Sequence, residues 1–321
     1  MMGTCAFLFP GQASQYPGMG RELYEKFPAS RELFDAADRA LDFSVSRLCF
    51  EGTEEDLKLT ENTQPAVVTV SIAALRALEG SGITPAFVAG HSLGEYSALV
   101  AAGGLDFTEA VRLVRQRGRF MQDAVPPGVG AMAAIMGLSH AQVEEACRRA
   151  SQGEIVAPAN LNSPEQTVIS GHASAVKRAV EFASQSGAKR AVILPVSAPF
   201  HCELMQAAAH RLEEVLRRTP FCPLKIPLVT NVAAEAIHAG EDAREALIRQ
   251  FSLPVRWEDS MRALIDQGVD MFVEVGPGKV LSGLLRQIDR SVLCVNVEDE
   301  KSLQAAVEKL ARARTPAADA D

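Results

Sequence analysis

The serine at position 92 stands in a pattern that supports nucleophilic catalysis. Residues 90–94 read Gly-His-Ser-Leu-Gly; they follow a short apolar run at 86–89 and precede a helix-like segment at 95–102. In a tight strand-to-helix turn, small residues two places before and after the serine leave room for its strained backbone. The hydroxyl then stands at a helix N-terminus, where backbone N–H groups and the helix dipole stabilise an oxyanion. We predict that Ser92 is a nucleophile; the alternative is a purely structural turn.

A serine nucleophile needs a general base, and His201 is the candidate. It lies in a break between a predicted strand and the predicted helix at 203–219, and such loops often carry catalytic groups. A loop histidine taken alone is more often structural. The other histidines lie beside the serine, in polar segments or inside a helix: His91, His140, His172, His210 and His238. No acidic residue stands out as a third triad member, so a main-chain carbonyl could orient the base instead.

A predicted helix at 107–125 carries an arginine in an unusual position. Its apolar residues recur with a period close to 3.6, which predicts one buried face. Arg117 falls on that face. One interpretation is an arginine whose stem packs while its charged head reaches solvent.

Predicted strands and helices alternate along most of the chain. This alternation indicates an α/β fold with a mostly parallel sheet covered by helices. Residues 127–197 instead show the order β-α-β-β-α-β, which is the ferredoxin-like pattern. We predict a large α/β-hydrolase-like domain formed by residues 1–126 and 198–312, a small inserted ferredoxin-like subdomain at 127–197, and a disordered tail at 313–321.

Composition excludes several classes of protein. The 321 residues are 47% hydrophobic and 22% charged, as in ordinary folded proteins. No apolar run approaches the roughly 18–20 residues of a membrane span, and no basic segment begins a signal peptide, so we expect a cytoplasmic protein without a membrane partner. A net charge of −8 without a basic stripe argues against nucleic acids. The six scattered cysteines lack a Cys-x-x-Cys pair, which predicts reduced core thiols, not disulfides or a zinc site.

Six segments, in order and spacing, resemble the acyltransferases of fatty acid and polyketide synthesis. They are FPGQASQ at 9–15, GHSLGEYSA at 90–98, RQRGRFM at 115–121, NLNSPEQ at 160–166, PFH at 199–201 and EVGPG at 274–278. The match covers about residues 5–300. The free-standing length resembles the bacterial malonyl-CoA:acyl carrier protein transacylases in particular.

The resemblance implies a catalytic role for five residues. Ser92 matches the nucleophile and His201 matches its base. The backbone N–H groups of Gln12 and Leu93 match the oxyanion hole. Gln250 matches the position whose main-chain carbonyl orients the histidine, which agrees with the missing acidic residue.

The resemblance also implies a substrate and a partner. Arg117 matches the residue that pairs with the free carboxylate of malonate, and a planar guanidinium can hold a carboxylate through two parallel hydrogen bonds. Further residues are expected to line the active site: Gln166, Asn162, Phe200 and Met121. The expected partners are malonyl-CoA and an acidic acyl carrier protein that docks on local positive charge, for which the candidates are Lys189, Arg190 and Arg286. The family implies no cofactor or metal, and we expect a monomer.

Two positions depart from the family pattern. Ala13 stands where glycine is common, and alanine is strained there if the site requires a positive φ. Phe200 stands before the histidine where free-standing bacterial members often have serine, whereas malonyl-selecting polyketide domains often have phenylalanine. Leu93 favours malonyl over methylmalonyl groups, but neither Phe200 nor Leu93 separates a fatty acid role from a polyketide role.

Three other functions remain open from the residues. The first is service to a polyketide synthase in trans. The second is a serine hydrolase that uses the same dyad with water as acceptor, against which the retained Arg117 argues. The third is a non-enzymatic carrier-binding module, which the intact Ser92 and His201 disfavour. A dinucleotide-binding dehydrogenase is poorly supported, because residues 276–282 lack the full glycine fingerprint.

Overall fold

A computed structural model describes residues 3–41, 43–196 and 198–314. The strands are β1 Thr4–Phe9, β2 Phe87–Gly90, β3 Gly130–Met136, β4 Val156–Ser163, β5 Gln166–His172, β6 Arg190–Ile193, β7 Leu228–Val229, β8 Ala236–Ile237, β9 Val269–Val275 and β10 Leu293–Val297. The helices are α1 Arg21–Lys26, α2 Pro28–Ala40, α3 Val45–Glu51, α4 Glu54–Lys58, α5 Thr60–Leu78, α6 Gly94–Ala101, α7 Phe107–Gln122, α8 His140–Ser151, α9 Ala173–Gln185, α10 Gln206–Arg218, α11 Gly240–Gln250, α12 Trp257–Asp266, α13 Val280–Ile288 and α14 Glu300–Arg314. A short 3₁₀ turn at Glu203–Met205 precedes α10.

The larger sheet has the strand order β10-β9-β1-β2-β7-β8. Its neighbours run parallel, except that β7 and β8 are antiparallel. The central strand β1 is buried on both faces: Phe7 and Phe9 enter one apolar cluster, whereas Ala6 and Leu8 enter another. Burial on both faces explains why this strand reads as a continuous apolar run.

The smaller sheet has the order β4-β5-β3-β6, and its neighbours are antiparallel. With α8 and α9 between its strands, this is the strand order of a βαββαβ unit of ferredoxin-like type. Ser139 caps α8 by accepting a hydrogen bond from the Gln142 N–H, as a serine before a helix predicts. The predicted fold class is therefore confirmed, whereas the predicted domain boundaries stay a prediction.

Backbone and side-chain contacts join β4 and α8 to residues in and just before α12. The Leu161 N–H donates to the Val255 carbonyl at 2.9 Å, and the Val255 N–H donates to the Ala159 carbonyl at 2.9 Å. His140 at the start of α8 lies 3.0 Å from the Glu258 carboxylate on α12. The two backbone hydrogen bonds hold β4 beside the segment that leads into α12.

Two expectations need correction. Residues 313 and 314 of the predicted tail belong to α14, and residues 315–321 lie outside the described residues. None of the six cysteines, all of which lie in the described ranges, forms a disulfide, but Cys222 is exposed, so its predicted place in the core is wrong. Among the described helices, none is long and apolar enough to cross a bilayer.

Candidate active site

Ser92 lies in a sharp turn between β2 and α6. Its φ of +51° is in the left-handed region, which is unfavourable for a residue with a Cβ. Close packing requires both flanking glycines: a Cβ on Gly90 would collide with the Gly94 carbonyl, and a Cβ on Gly94 would collide with the Phe9 carbonyl. The turn therefore holds Ser92 at the carboxyl edge of the two central strands.

The two backbone N–H groups predicted to bind an oxyanion belong to residues near Ser92. Leu93 immediately precedes α6, and Gln12 lies in the loop after β1. Because β1 and β2 are parallel neighbours, the loops at their carboxyl ends lie side by side. Gln12 and Leu93 both line the cleft that contains Ser92. Neither backbone N–H donates a hydrogen bond within the described ranges, so both are available to an oxygen in the cleft.

His201 lies beside Ser92, although 109 positions separate them in the sequence. Its Nε2 is 2.7 Å from the Ser92 Oγ, and its Nδ1 is 2.8 Å from the main-chain carbonyl oxygen of Gln250. Burial and the nearby positive charge of Arg117 lower the pKa of His201 to about 3. The imidazole is therefore neutral near pH 7, with Nδ1–H donating to the carbonyl and Nε2 accepting from the serine.

Arg117 projects from α7 into the same place and is only 2% exposed. It donates to the Gln64 Oε1 at 3.0 Å, the Gln250 Oε1 at 3.0 Å and the Ser92 Oγ at 3.1 Å. All three acceptors are neutral, and its Nε has no partner among the described residues. The alternative of a head that reaches solvent is wrong, because the guanidinium is buried beside the serine.

Three buried polar side chains connect these groups. Asn231 accepts from the Ser92 N–H at 2.7 Å and donates to the Gly90 carbonyl at 2.7 Å. Gln250 donates to the Ser92 carbonyl at 2.9 Å and to Glu95 at 3.1 Å. Burial raises the pKa of Glu95 to about 7.

A cleft of about 320 Å³ opens above Ser92, between the two sheets. The four residues expected to line the active site all line this cleft: Gln166, Asn162, Phe200 and Met121. Apolar side chains from β3 and β5 of the smaller sheet, from the segment after β6 and from α13 supply most of the remaining wall. The shape and lining suit a short acyl group with a polar end.

The three residues predicted to dock a carrier protein do not line the cleft. Lys189 is exposed and pairs with Glu165 at 2.8 Å. Arg190 begins β6, and Arg286 lies on α13; both are exposed. Neither arginine forms an ion pair within the part of the chain that the structure describes.

Three polar residues around the serine were not predicted from the sequence. Gln64 and Asn231 belong to no recognised motif, and an isolated neutral amide does not by itself indicate a function. Glu95 did carry a signal, since a carboxylate stands at the start of α6, whose other residues are mostly apolar. His91 does point away from Ser92, as expected, and its Nε2 lies 2.8 Å from the Asn162 Oδ1.

A model of the acyl transferase domain family matches residues 6–314 of this chain. The chain belongs to this family. The malonyl CoA-acyl carrier protein transacylase of Bacillus subtilis (strain 168) is 50% identical to it over 310 residues, which cover 96% of this chain and 98% of that protein. These matches confirm the resemblance drawn from the six segments and the expected class of enzyme, an acyltransferase.

Solved structures of malonyl transacylases are similar to this chain over nearly its whole length. The malonyl CoA-acyl carrier protein transacylase of Coxiella burnetii has a TM-score of 0.94 and 44% identity, covering 97% of this chain and 98% of that one. A malonyl-transacylase solved in complex with a type II polyketide synthase acyl-carrier protein has a TM-score of 0.93 and 44% identity, covering 95% and 99%.

Proposed function

We propose that this acyltransferase moves the malonyl group of malonyl-CoA to the phosphopantetheine thiol of an acyl carrier protein. The group passes through an ester on Ser92, and the product supplies extender units for fatty acid synthesis. One observation carries the proposal: the Ser92 Oγ lies 2.7 Å from an imidazole nitrogen and 3.1 Å from a buried guanidinium. The names of the relatives from Bacillus subtilis and Coxiella burnetii support the same substrate and partner.

The first half of the reaction loads Ser92. The His201 Nε2 accepts the hydroxyl proton as the Ser92 Oγ attacks the thioester carbonyl carbon. The resulting oxyanion binds the backbone N–H groups of Gln12 and Leu93. When the carbon–sulfur bond breaks, His201 returns its proton to the sulfur of coenzyme A. The Gln250 carbonyl supports the imidazolium form in between, without adding a fixed charge.

Arg117 selects the acyl group. A malonyl ester on Ser92 carries a second carboxylate, and the Arg117 guanidinium is placed beside the Ser92 Oγ, where it can bind that carboxylate. Because Arg117 is buried and has neutral partners, its attraction for an anion is weakly screened by water. An acetyl group lacks this interaction, so malonyl groups are preferred.

The second half of the reaction unloads Ser92 onto the carrier protein. The phosphopantetheine thiol gives its proton to His201, and its sulfur attacks the ester carbonyl; the Ser92 oxygen leaves and regains a proton. The residues named here account for every proton transferred, so the scheme calls for no metal or prosthetic group. Lys189, Arg190 and Arg286 are the proposed docking charges, and the chain acts as a monomer in the cytoplasm.

Mass spectrometry of the protein after brief exposure to malonyl-CoA tests the proposal. We expect one malonyl group on the peptide that contains Ser92, and its loss on addition of phosphopantetheinylated carrier protein. Ser92→Ala should carry no adduct, whereas the exposed-site control Ser186→Ala should carry the wild-type amount. An adduct retained by Ser92→Ala would contradict the scheme.

The same reaction separates transfer from hydrolysis. A transferase loses malonyl-CoA rapidly only when carrier protein is present, whereas a hydrolase loses it equally fast without carrier. Comparing a fatty acid carrier with a polyketide carrier then distinguishes the two pathways, and we expect faster transfer to the fatty acid carrier.

A further inference from the structure

Glu95 is a fully buried carboxyl group one turn from the nucleophile, and the scheme above assigns it no task. It lies in the first turn of α6 and is 0% exposed. Its Oε2 accepts two hydrogen bonds, one from the Asn231 N–H at 2.9 Å and one from the Gln250 Nε2 at 3.1 Å. No positively charged side chain is hydrogen-bonded to it in the described ranges.

The two residues that Glu95 holds are those that place the reactive groups. Asn231 binds the Ser92 N–H and the Gly90 carbonyl, so it fixes the turn on both sides of His91. Gln250 binds the Ser92 carbonyl and the Arg117 guanidinium through its side chain. The Gln250 main-chain carbonyl orients His201.

The orientation of the Gln250 amide decides whether these bonds can form. A side-chain amide presents an acceptor at one end and donors at the other. With Nε2 directed to Glu95 and to the Ser92 carbonyl, Oε1 faces Arg117 and accepts from it. A flipped amide would direct N–H groups at the guanidinium and lose this acceptor. A strong acceptor at Glu95 excludes the flipped state.

We propose that Glu95 is a positioning residue whose Oε2 locks Asn231 and Gln250 in the orientations that align Ser92, His201 and Arg117. The proposal rests on the function proposed above. The acceptor itself, not the negative charge, performs the task, because both accepted bonds end on Oε2. Oε1 has no partner in the described part of the chain, so it can carry a proton without disturbing either bond. Burial raises the pKa of this carboxyl to about 7, which agrees with a group that works in both forms.

A pair of substitutions separates positioning from simple stabilisation. Glu95→Gln keeps a side-chain oxygen where Oε2 lies, whereas Glu95→Ala removes the acceptor. The measurements are the rate of Ser92 malonylation under single-turnover conditions, the malonyl-to-acetyl rate ratio, and the melting temperature. We expect Glu95→Gln to lower the melting temperature, because its buried amide nitrogen is left without a partner. The malonylation rate should stay within about threefold of the wild-type rate, because the acceptor oxygen is kept.

Glu95→Ala should lower the malonylation rate of folded protein by about 100-fold, since small displacements of reacting groups have effects of this size. It should also lower the malonyl-to-acetyl ratio, because Arg117 loses its fixed acceptor on Gln250. Glu258→Gln is the matched control: Glu258 is a buried carboxyl on α12 that binds His140 and Arg262 away from the cleft, and this variant should leave rate and ratio unchanged.

Each outcome decides the proposal. A folded Glu95→Ala that keeps both rate and ratio overturns it, and so does a Glu95→Gln that is as slow as Glu95→Ala. If Glu95→Ala does not fold, Glu95→Gln alone decides: a retained rate supports the acceptor role and a 100-fold loss overturns it. Wild-type protein that forms no Ser92 adduct would instead refute the proposed function itself.

Discussion

Three residues of the cleft have positive φ angles although none of them is glycine. The φ angles are +83° for Ala13, +51° for Ser92 and +58° for His201. All three residues line the cleft. A left-handed conformation costs an ordinary residue about 1–2 kcal/mol, so strain is concentrated where the proposed chemistry occurs. The departure from the family pattern at Ala13 therefore has a structural consequence.

Replacing Ala13 with glycine should raise the free energy of unfolding by about 0.5–1 kcal/mol. Glycine removes the left-handed strain but has greater freedom in the unfolded chain, which offsets part of the gain. Urea denaturation followed by circular dichroism measures this change. The control is Ala305→Gly, an exposed site inside α14, where glycine should instead destabilise by up to about 1 kcal/mol. Equal effects at both sites would contradict the assigned strain.

The lowered pKa of His201 makes a prediction about stability and pH. In the unfolded chain the imidazole binds a proton below its ordinary pKa of 6.5, whereas in the folded chain it stays neutral down to about 3. Its contribution to stability is thus present above pH 6.5 and is lost as the pH falls toward 3. As the pH is lowered from 6.5 to 4.5, the stability of the wild type relative to His201→Phe should fall with a slope that steepens to about 1.4 kcal/mol per pH unit. A pH-independent difference, measured by urea denaturation, would contradict the shift.

At the scale of elements, the site depends on how closely α6 approaches β1 and β2. The turn that carries Ser92 begins and ends with glycines whose Cα atoms pack directly on backbone: Gly90 on Gly94, and Gly94 on Phe9. No side chain can be inserted there without moving the helix away from the sheet. The strand, turn and helix therefore act as one rigid support for the serine.

Gly94→Ala should destabilise the protein by at least about 2 kcal/mol and abolish Ser92 malonylation. The added Cβ would collide with the backbone of Phe9, which cannot move aside as a flexible side chain could. Gly283→Ala is the matched control on α13. A Cβ there meets no atom within 4 Å, and alanine is the better helix former, so stability should rise by up to about 1 kcal/mol with activity unchanged. Thermal melts and the adduct assay check both variants. A stable, active Gly94→Ala would disprove the close approach.

The turn at Ser92, the buried face of α7 and the smaller sheet could be predicted because each leaves a local pattern in the sequence. The spaced glycines indicated the turn at Ser92, and the helical period of α7 placed Arg117 on a buried face. The order of strands and helices from residue 127 to 197 predicted the smaller sheet. The amide side chains of Gln64 and Asn231 could not be found this way, because their roles arise from pairs of residues far apart in the chain. These roles depend on contacts that exist only in the folded chain, and no local pattern in the sequence indicates them.

At the scale of the whole molecule, the net negative charge of the chain should repel the proposed partners, which are also negatively charged. The chain has a net charge of −8, yet coenzyme A and the expected carrier protein are both anionic. Encounter must therefore rely on local positive charge. Of the proposed docking residues, Lys189 is paired with Glu165, whereas Arg190 and Arg286 are exposed and form no ion pair within the described residues. The two arginines are the stronger candidates.

Arg190→Glu should raise the KM for the carrier protein by about 3–10-fold with little change in kcat, since charges at the rim of an interface act mainly on association. The effect should shrink as salt is added. Steady-state transfer assays at two ionic strengths measure both changes. Arg47→Glu, which alters an exposed arginine on α3, serves as the control and should have no effect. An unchanged KM for Arg190→Glu would remove this residue from the docking surface.

Arg117→Ala tests selection in the same assays. Loss of a charge-assisted contact should lower the malonyl-to-acetyl rate ratio by about 10–100-fold. Arg119→Ala removes an exposed arginine of the same helix that pairs with Glu61, and it should keep the wild-type ratio. If both variants discriminate equally well, Arg117 does not bind the second carboxylate.

The group that orients His201 belongs to the peptide main chain, and every amino acid has it. An alanine scan would therefore never detect this oxygen, and any defect seen on replacing Gln250 reports the loss of its amide instead. During evolution, position 250 could change its side chain without depriving the imidazole of its acceptor. A main-chain acceptor for the catalytic histidine therefore survives any point mutation at position 250. An aspartate in that role could be lost by a single base change.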